Sequence, residues 1–211
     1  MSALLTAWDR LAAEATAAAS SFVLWKAGYD LDALAAERDW PALATVVERW
    51  AVREGATAVV RCSHVPGRVI LVGVVGDDLL QVDLIAQRPA GIGSWFDADS
   101  IAPAAIVDEL GIRRLSPDEG ALLDALEGGS TLTPGPAAHV LAERLPRPTA
   151  LVLGTARGSA SARLLGAAWP TRARSWRRYQ PCAVTEALSQ ERRAGPGWLE
   201  TVRATHEVRD L

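Results

Sequence analysis

The chain of 211 residues has one methionine, two cysteines and little lysine. It also lacks any run of about 18 consecutive apolar residues, the length a helix needs to cross a bilayer. Cys62 and Cys182 are far apart and form no CxxC pair, which argues against a zinc site or a disulfide framework and fits free thiols in a reducing compartment. The N-terminus has no basic segment leading into an apolar stretch and a cleavage site, so no secretory leader is expected. These absences predict a cytoplasmic protein with no membrane partner. The scarcity of lysine and methionine beside abundant alanine and arginine reflects a GC-rich coding sequence and carries no chemistry.

With 49% hydrophobic residues, the chain is long enough to bury one sizeable core and to carry a smaller second unit. The net charge of −3 hides an uneven distribution. Residues 1–110 hold 8 basic and 15 acidic groups, whereas residues 111–211 hold 14 basic and 10 acidic. The acidic half is where a cation would be held, and the basic half is where an anion would be met.

Along the chain, Leu4, Leu5, Trp8, Leu11, Ala12 and Ala15 recur at helical spacing in an alanine-rich segment, which predicts an amphipathic first helix. Phe22–Trp25 reads as a short strand, Gly28-Tyr29 as a turn, and Asp30–Leu34 as a half-buried strand with period two. A second helix follows from Trp40-Pro41 through Leu43, Val46, Val47 and Trp50 to about Gly55. Three β-rich runs, 58–62, 69–74 and 79–85, are separated by the turn signals Pro66-Gly67 and Gly76-Asp77-Asp78 and predict an antiparallel meander. Residues 89–100 read as a loop. Residues 101–127 read as two helical pieces, the second opened by a capping box of Ser116 and Glu119. The order predicts an α+β fold with a mixed sheet of about five strands flanked by helices over residues 1–115. A smaller, mostly helical, arginine-rich region at 116–211 follows it, with helix expected at 137–144 and strand or buried helix at 149–153. Gly154–Ser159 is glycine-rich but lacks the Gly-Lys-Ser/Thr ending of a P-loop, so it reads as a turn.

The chemistry is concentrated in carboxylates. Asp30 and Asp32 lie two apart on a strand, so both project from one face and can hold a hard divalent cation between them. Asp83 is centred in an apolar strand, where an ionised group needs a partner or a metal. The same residues also fit a plainer reading, with Asp30 and Asp32 on the surface of an edge strand and Asp83 capping a neighbouring loop.

Taken with the order of elements around it, this pattern resembles the nucleotidyltransferase superfamily of DNA polymerase β-like fold, over roughly residues 3–115 and most strongly in Phe22–Leu34 and Leu79–Ile85. The resemblance implies that Asp30, Asp32 and Asp83 bind Mg²⁺ and that a nucleoside monophosphate passes from a nucleoside triphosphate to an acceptor hydroxyl on a small molecule, protein or RNA. Family members carry a Gly-Ser or Gly-Gly pair before the paired aspartates to cradle phosphates. Here only Gly28 remains of it, within Trp25–Tyr29, and Lys26 can replace backbone donors as a point charge on phosphate. The missing pair keeps a second reading open, a binding or scaffold module of the same fold that has lost nucleotide handling.

Other residues are secondary candidates. His64, near a strand end, has a suitable pKa for a general base and equally suits a turn. Trp25, Trp40 and Trp50 fit core positions, while Trp95, in a glycine-flanked loop, can stack on a base or sugar. Arg172–Tyr179 interleaves arginine with aromatics, a composition that suits RNA, an acidic face of the same chain, or a solvated helix.

Overall fold

A computed structural model describes residues 2–63, 67–89, 94–117, 119–120, 182–193 and 195–211. The chain divides into two units, Met1–Arg88 with Phe96–Arg114 and Gln180–Leu211 in the first, and Pro89–Trp95 with Leu115–Tyr179 in the second. The first unit opens with helix α1, Ser2–Ala18, and strands β1, Val23–Ala27, and β2, Leu31–Leu34. A 3₁₀ turn at Glu37–Asp39 leads into α2, Trp40–Arg53. Strands β3, Ala58–Cys62, β4, Arg68–Val75, and β5, Asp78–Ile85, follow. Gln87–Pro89 (β6) and Ser94–Asp97 (β7) are strands outside the main sheet. Next come a short helix α3, Ala98–Ile101, and two-residue strands β8, Ile106–Val107, and β9, Arg113–Arg114. At the far end stand helices α4, Cys182–Arg193, and α5, Trp198–Arg203, and strand β10, Glu207–Asp210.

The fold is α+β with a mixed sheet flanked by helices. The sheet has eight strands, ordered β10-β3-β4-β5-β2-β1-β9-β8, and not about five. The five central strands are those expected from the apolar and β-rich runs of the sequence. The other three are short: β8 is the exposed pair Ile106-Val107, β9 is two arginines, and β10 is Glu-Val-Arg-Asp along an edge, so none carries the alternation that reveals a half-buried strand. The meander β3-β4-β5 and the hairpin β1-β2 are antiparallel, while β2 runs parallel to β5.

Alternation assigns each face of the sheet. Leu31, Ala33, Val69, Leu71, Val82 and Leu84 face α1 and α2 in one core. There Trp8 and Trp50 stack with ring centroids 4.7 Å apart, and the Trp50 indole donates to the carbonyl of Ala7 at 3.1 Å. Each of these fully buried rings contributes about 2 kcal/mol through apolar burial. On the opposite face Ala58, Val60, Cys62, Ile70, Val72 and Val74 pack with Leu188 of α4 and Val202 of α5. The C-terminal helices thus belong with the N-terminal sheet, across the boundary at residue 115.

Residues 101–115 are not a long helix. Pro103 and Gly111 punctuate the segment, and the Asp108 carboxylate accepts from the backbone N–H groups of Leu110 and Ile112, both at 2.9 Å. Those side-chain bonds offer the backbone an alternative to helix. The capping box holds: Ser116 Oγ accepts from the Glu119 amide at 3.3 Å, and the Glu119 carboxylate accepts from the Ser116 amide at 3.1 Å. The expectations for 121–127, 137–144, 149–153, 154–159 and 172–179 lie outside the described residues.

Candidate functional site: a carboxylate centre on the sheet

The site begins with an irregularity in β1. Val23 and Leu24 pair with Leu34 and Ala33, but the register then shifts so that Lys26 pairs with Asp32 and Ala27 with Leu31. Trp25 is the extra residue of a bulge, and its insertion re-aims the strand. In the unshifted register Asp32 would face Trp25. With the bulge it faces Lys26, the chain's only lysine, whose Nζ lies 3.0 Å from Asp32 Oδ2 and 4.7 Å from the centre of the Trp25 ring.

Strand β2 places Asp32 beside Asp83, because the parallel β2–β5 ladder pairs the two residues directly. Their neighbours Leu31, Ala33, Val82 and Leu84 face the α1–α2 core, so both aspartates project from the other face. Asp83 is completely buried, and two side chains meet it there: Arg68 Nη1 lies 3.2 Å from Oδ2, and Gln81 Nε2 donates to Oδ1 at 2.9 Å. Burial, and then the charge of Asp32, push the Asp83 carboxyl up to about 8, with Asp30 adding a smaller push in the same direction and Arg68 and Gln81 opposing it. Asp30 is therefore within electrostatic reach of the pair, although it stands just before β2 and not in it.

Across the sheet, Cys62 pairs with Ile70, which pairs with Asp83. Burial, with Asp83 adding to it, raises the Cys62 thiol to about 12, so it stays protonated and is no nucleophile.

The turn between β1 and β2 is fastened from inside. Gly28 N–H donates to the Asp30 carbonyl at 2.8 Å, and the Gly28 carbonyl accepts from the buried Trp8 indole at 3.0 Å. Gly28 therefore spends its amide within the turn. Apart from its chain neighbours, no atom among the described residues lies within 4 Å of the position a Cβ would take there.

The structure brings Asp30, Asp32 and Asp83 into one electrostatic neighbourhood with Lys26 and Gly28 alongside. Among the described residues, however, no group of three or more His, Cys, Asp or Glu side chains is arranged to hold a metal ion. Asp32 and Asp83 instead turn their oxygens to Lys26 and Arg68. Sequence reading missed Arg68 and Gln81. Gln81 was within its reach, since it stands two before Asp83 and residues two apart in a strand share a face. His64 lies outside the described residues. Trp95 falls in strand β7, not in a loop. Trp50 is fully buried, and Trp40 donates to the carbonyl of Ala35 at 3.0 Å, both in the packing roles expected of them.

Comparison with models of known protein families, with curated proteins and with solved structures finds no match. The geometry of the carboxylate centre therefore carries the functional reading. No helix among the described residues is long and apolar enough to cross a membrane.

Proposed function

We propose that this chain is a nucleotidyltransferase-like protein that takes up a nucleoside triphosphate with Mg²⁺ at Asp30 and Asp32 and passes the nucleoside monophosphate to an acceptor hydroxyl. The observation that carries this reading is the direct pairing of Asp32 with Asp83 on neighbouring parallel strands, with Asp30 two residues before Asp32 and within electrostatic reach of Asp83. Like charges crowded together are what a divalent cation relieves, and carboxylate oxygens are its preferred donors. Mg²⁺ held there would neutralise the triphosphate and the leaving pyrophosphate. Lys26 is the mobile member of the site. Its side chain is 45% exposed against 5% for Asp32, and an ion pair that open to water is worth about 0–1 kcal/mol, so the ammonium can leave Asp32 for a phosphate at little cost. Asp83 is fixed by Arg68 and Gln81 and stands beside the ion-binding pair, not in it.

The Arg68–Asp83 pair also favours a second reading, a binding or scaffold module without transfer. A carboxylate with no exposure and both oxygens engaged is neutralised by the protein itself.

The test uses the full chain with MgCl₂ and each of the four common ribonucleoside triphosphates. Because a ligand that binds only the native state must stabilise it, by about 2.7 kcal/mol at a hundredfold excess over Kd, melting should rise with Mg-nucleotide and not with either component alone. Pyrophosphate release in the presence of candidate acceptors, abolished by Asp32→Asn at unchanged melting temperature, marks transfer. Stabilisation without release supports the module reading, and neither effect rejects both.

A further inference from the structure

We propose that Tyr29 is the platform on which the base of the bound nucleotide stacks; this rests on the reading of Asp30 and Asp32 as the nucleotide site and deepens it. Among the described residues Tyr29 is the most exposed of the large hydrophobic side chains, at 94%, and the one aromatic in that group. It is the middle residue of the three-residue turn closed by the Ala27–Leu31 pair, and its immediate neighbour is Asp30. Consecutive Cα atoms are about 3.8 Å apart, so the ring and the carboxylate rise from adjacent points of one turn.

Exposure of an aromatic is common and by itself indicates nothing. Here the backbone beneath the ring is held on both sides. Gly28 N–H binds the Asp30 carbonyl at 2.8 Å, and the Gly28 carbonyl is tied at 3.0 Å to the indole of Trp8, itself stacked on Trp50 in the core. Tyr29 has no left-handed backbone strain, since among the described residues no non-glycine residue has a positive φ. A short turn anchored to the core thus presents an unburied phenol beside the charged groups. With the backbone of the turn held, stacking has to order only the two side-chain torsions of the tyrosine, a low entropic cost for the area an aromatic ring presents. The other aromatics around the site are engaged: the Trp25 face carries Lys26, and Trp8 packs on Trp50. Lys26, Asp30 and Tyr29 therefore divide the ligand by chemistry, with the ammonium for phosphate, the carboxylate for the cation and the phenol ring for the base. Stacking is indifferent to base identity because every base has a π face.

The experiment titrates the full chain calorimetrically with each of the four ribonucleoside triphosphates and with inorganic tripolyphosphate, all with Mg²⁺. It compares the native protein with Tyr29→Ala and Tyr29→Phe. A stacking contact is worth about 1–3 kcal/mol per base, and about 1.4 kcal/mol is tenfold in Kd. Tyr29→Ala should therefore weaken the nucleotides about tenfold or more and leave tripolyphosphate within about twofold. Tyr29→Phe should bind like the native protein, and melting temperatures should not move, because the side chain contributes no burial. Equal weakening of both probes, or no weakening of either, overturns the stacking role. Native protein that binds tripolyphosphate as tightly as any nucleotide also overturns it while leaving a phosphate site standing. Failure of the native protein to bind any probe removes the nucleotide reading together with this one.

Discussion

At the scale of single residues the decisive pair is Arg68 and Asp83, buried together at 3.2 Å. The carboxyl of Asp83 is raised from 3.8 to about 8, first by burial and then by Asp32. Between those values the unfolded chain has released this proton while the native chain still holds it, so the unfolded state binds fewer protons and stability falls as pH rises. Urea titrations of the native protein from pH 4.5 to 8 should show a declining component that Asp83→Asn removes; a slope that survives the substitution would assign it to other groups. Lys26 offers a second residue-scale measurement. As the only lysine it is the one side-chain amine that acylating reagents can mark, and its ammonium is about half exposed. If phosphates occupy the site, Mg-nucleotide should slow its acetylation severalfold in a peptide mass spectrum. Equal labelling with and without nucleotide would remove Lys26 from the phosphate contact.

At the scale of elements, β-rich runs between turn signals, with period two in β2, made the central sheet legible. They placed β3 at its observed limits and β4 and β5 within a residue of theirs. Period two also set Asp30 and Asp32 on one face of a strand, with Asp83 expected to converge on that face from a second strand. What alternation could not reveal was the bulge at Trp25, because an inserted residue leaves no compositional mark, and with it the placement of Lys26 over Asp32. Nor could it reveal that Arg68 would be aimed at Asp83, a contact set by the antiparallel register of β4 on β5. The turn joining β1 to β2 yields a prediction of its own. Gly28 has an ordinary φ, and open space where a Cβ would sit, so Gly28→Ala should leave folding unchanged or raise stability by a few tenths of a kcal/mol, as expected when the unfolded chain loses freedom. The added methyl would nevertheless occupy the approach that a phosphate needs. Thermal melting should be level or higher while Mg-nucleotide affinity drops, and unaltered affinity would show that the ligand does not pass over Gly28.

At the scale of the whole molecule, the charge asymmetry of the sequence is partly resolved into pairs among the described residues. Arg114 meets Asp9 at 3.1 Å, Arg192 meets Asp77 at 2.7 Å, and Arg209 meets Glu48 at 2.5 Å, each joining the basic half to the acidic half. Surface pairs of this kind are worth about 0–1 kcal/mol each, so they orient the C-terminal elements without holding them. Holding falls to β10, whose Glu207–Asp210 pair antiparallel with Arg61–Ala58, and to the packing of Leu188 and Val202 on β3 and β4. Sequence reading could not see this closure, since β10 is short and polar and its partner lies about 150 residues earlier in the chain. Without β10, the apolar strand β3 would become the edge of the sheet, with an unpaired row of N–H and C=O groups, a template for association. Arg209→Pro removes an amide that faces β3 while keeping chain length, since the Leu211 N–H donates to the Thr57 carbonyl and alternate residues of a strand share that direction, and deletion of residues 205–211 removes the strand altogether. Each lost backbone hydrogen bond is worth about 1 kcal/mol net, so either change should cost on the order of 2 kcal/mol, or roughly 5 °C in melting temperature for a chain of this size. Both variants should also elute earlier on gel filtration as concentration rises. Variants that melt at the native temperature and stay monodisperse would show that β3 tolerates an open edge and that α4 and α5 alone secure that face.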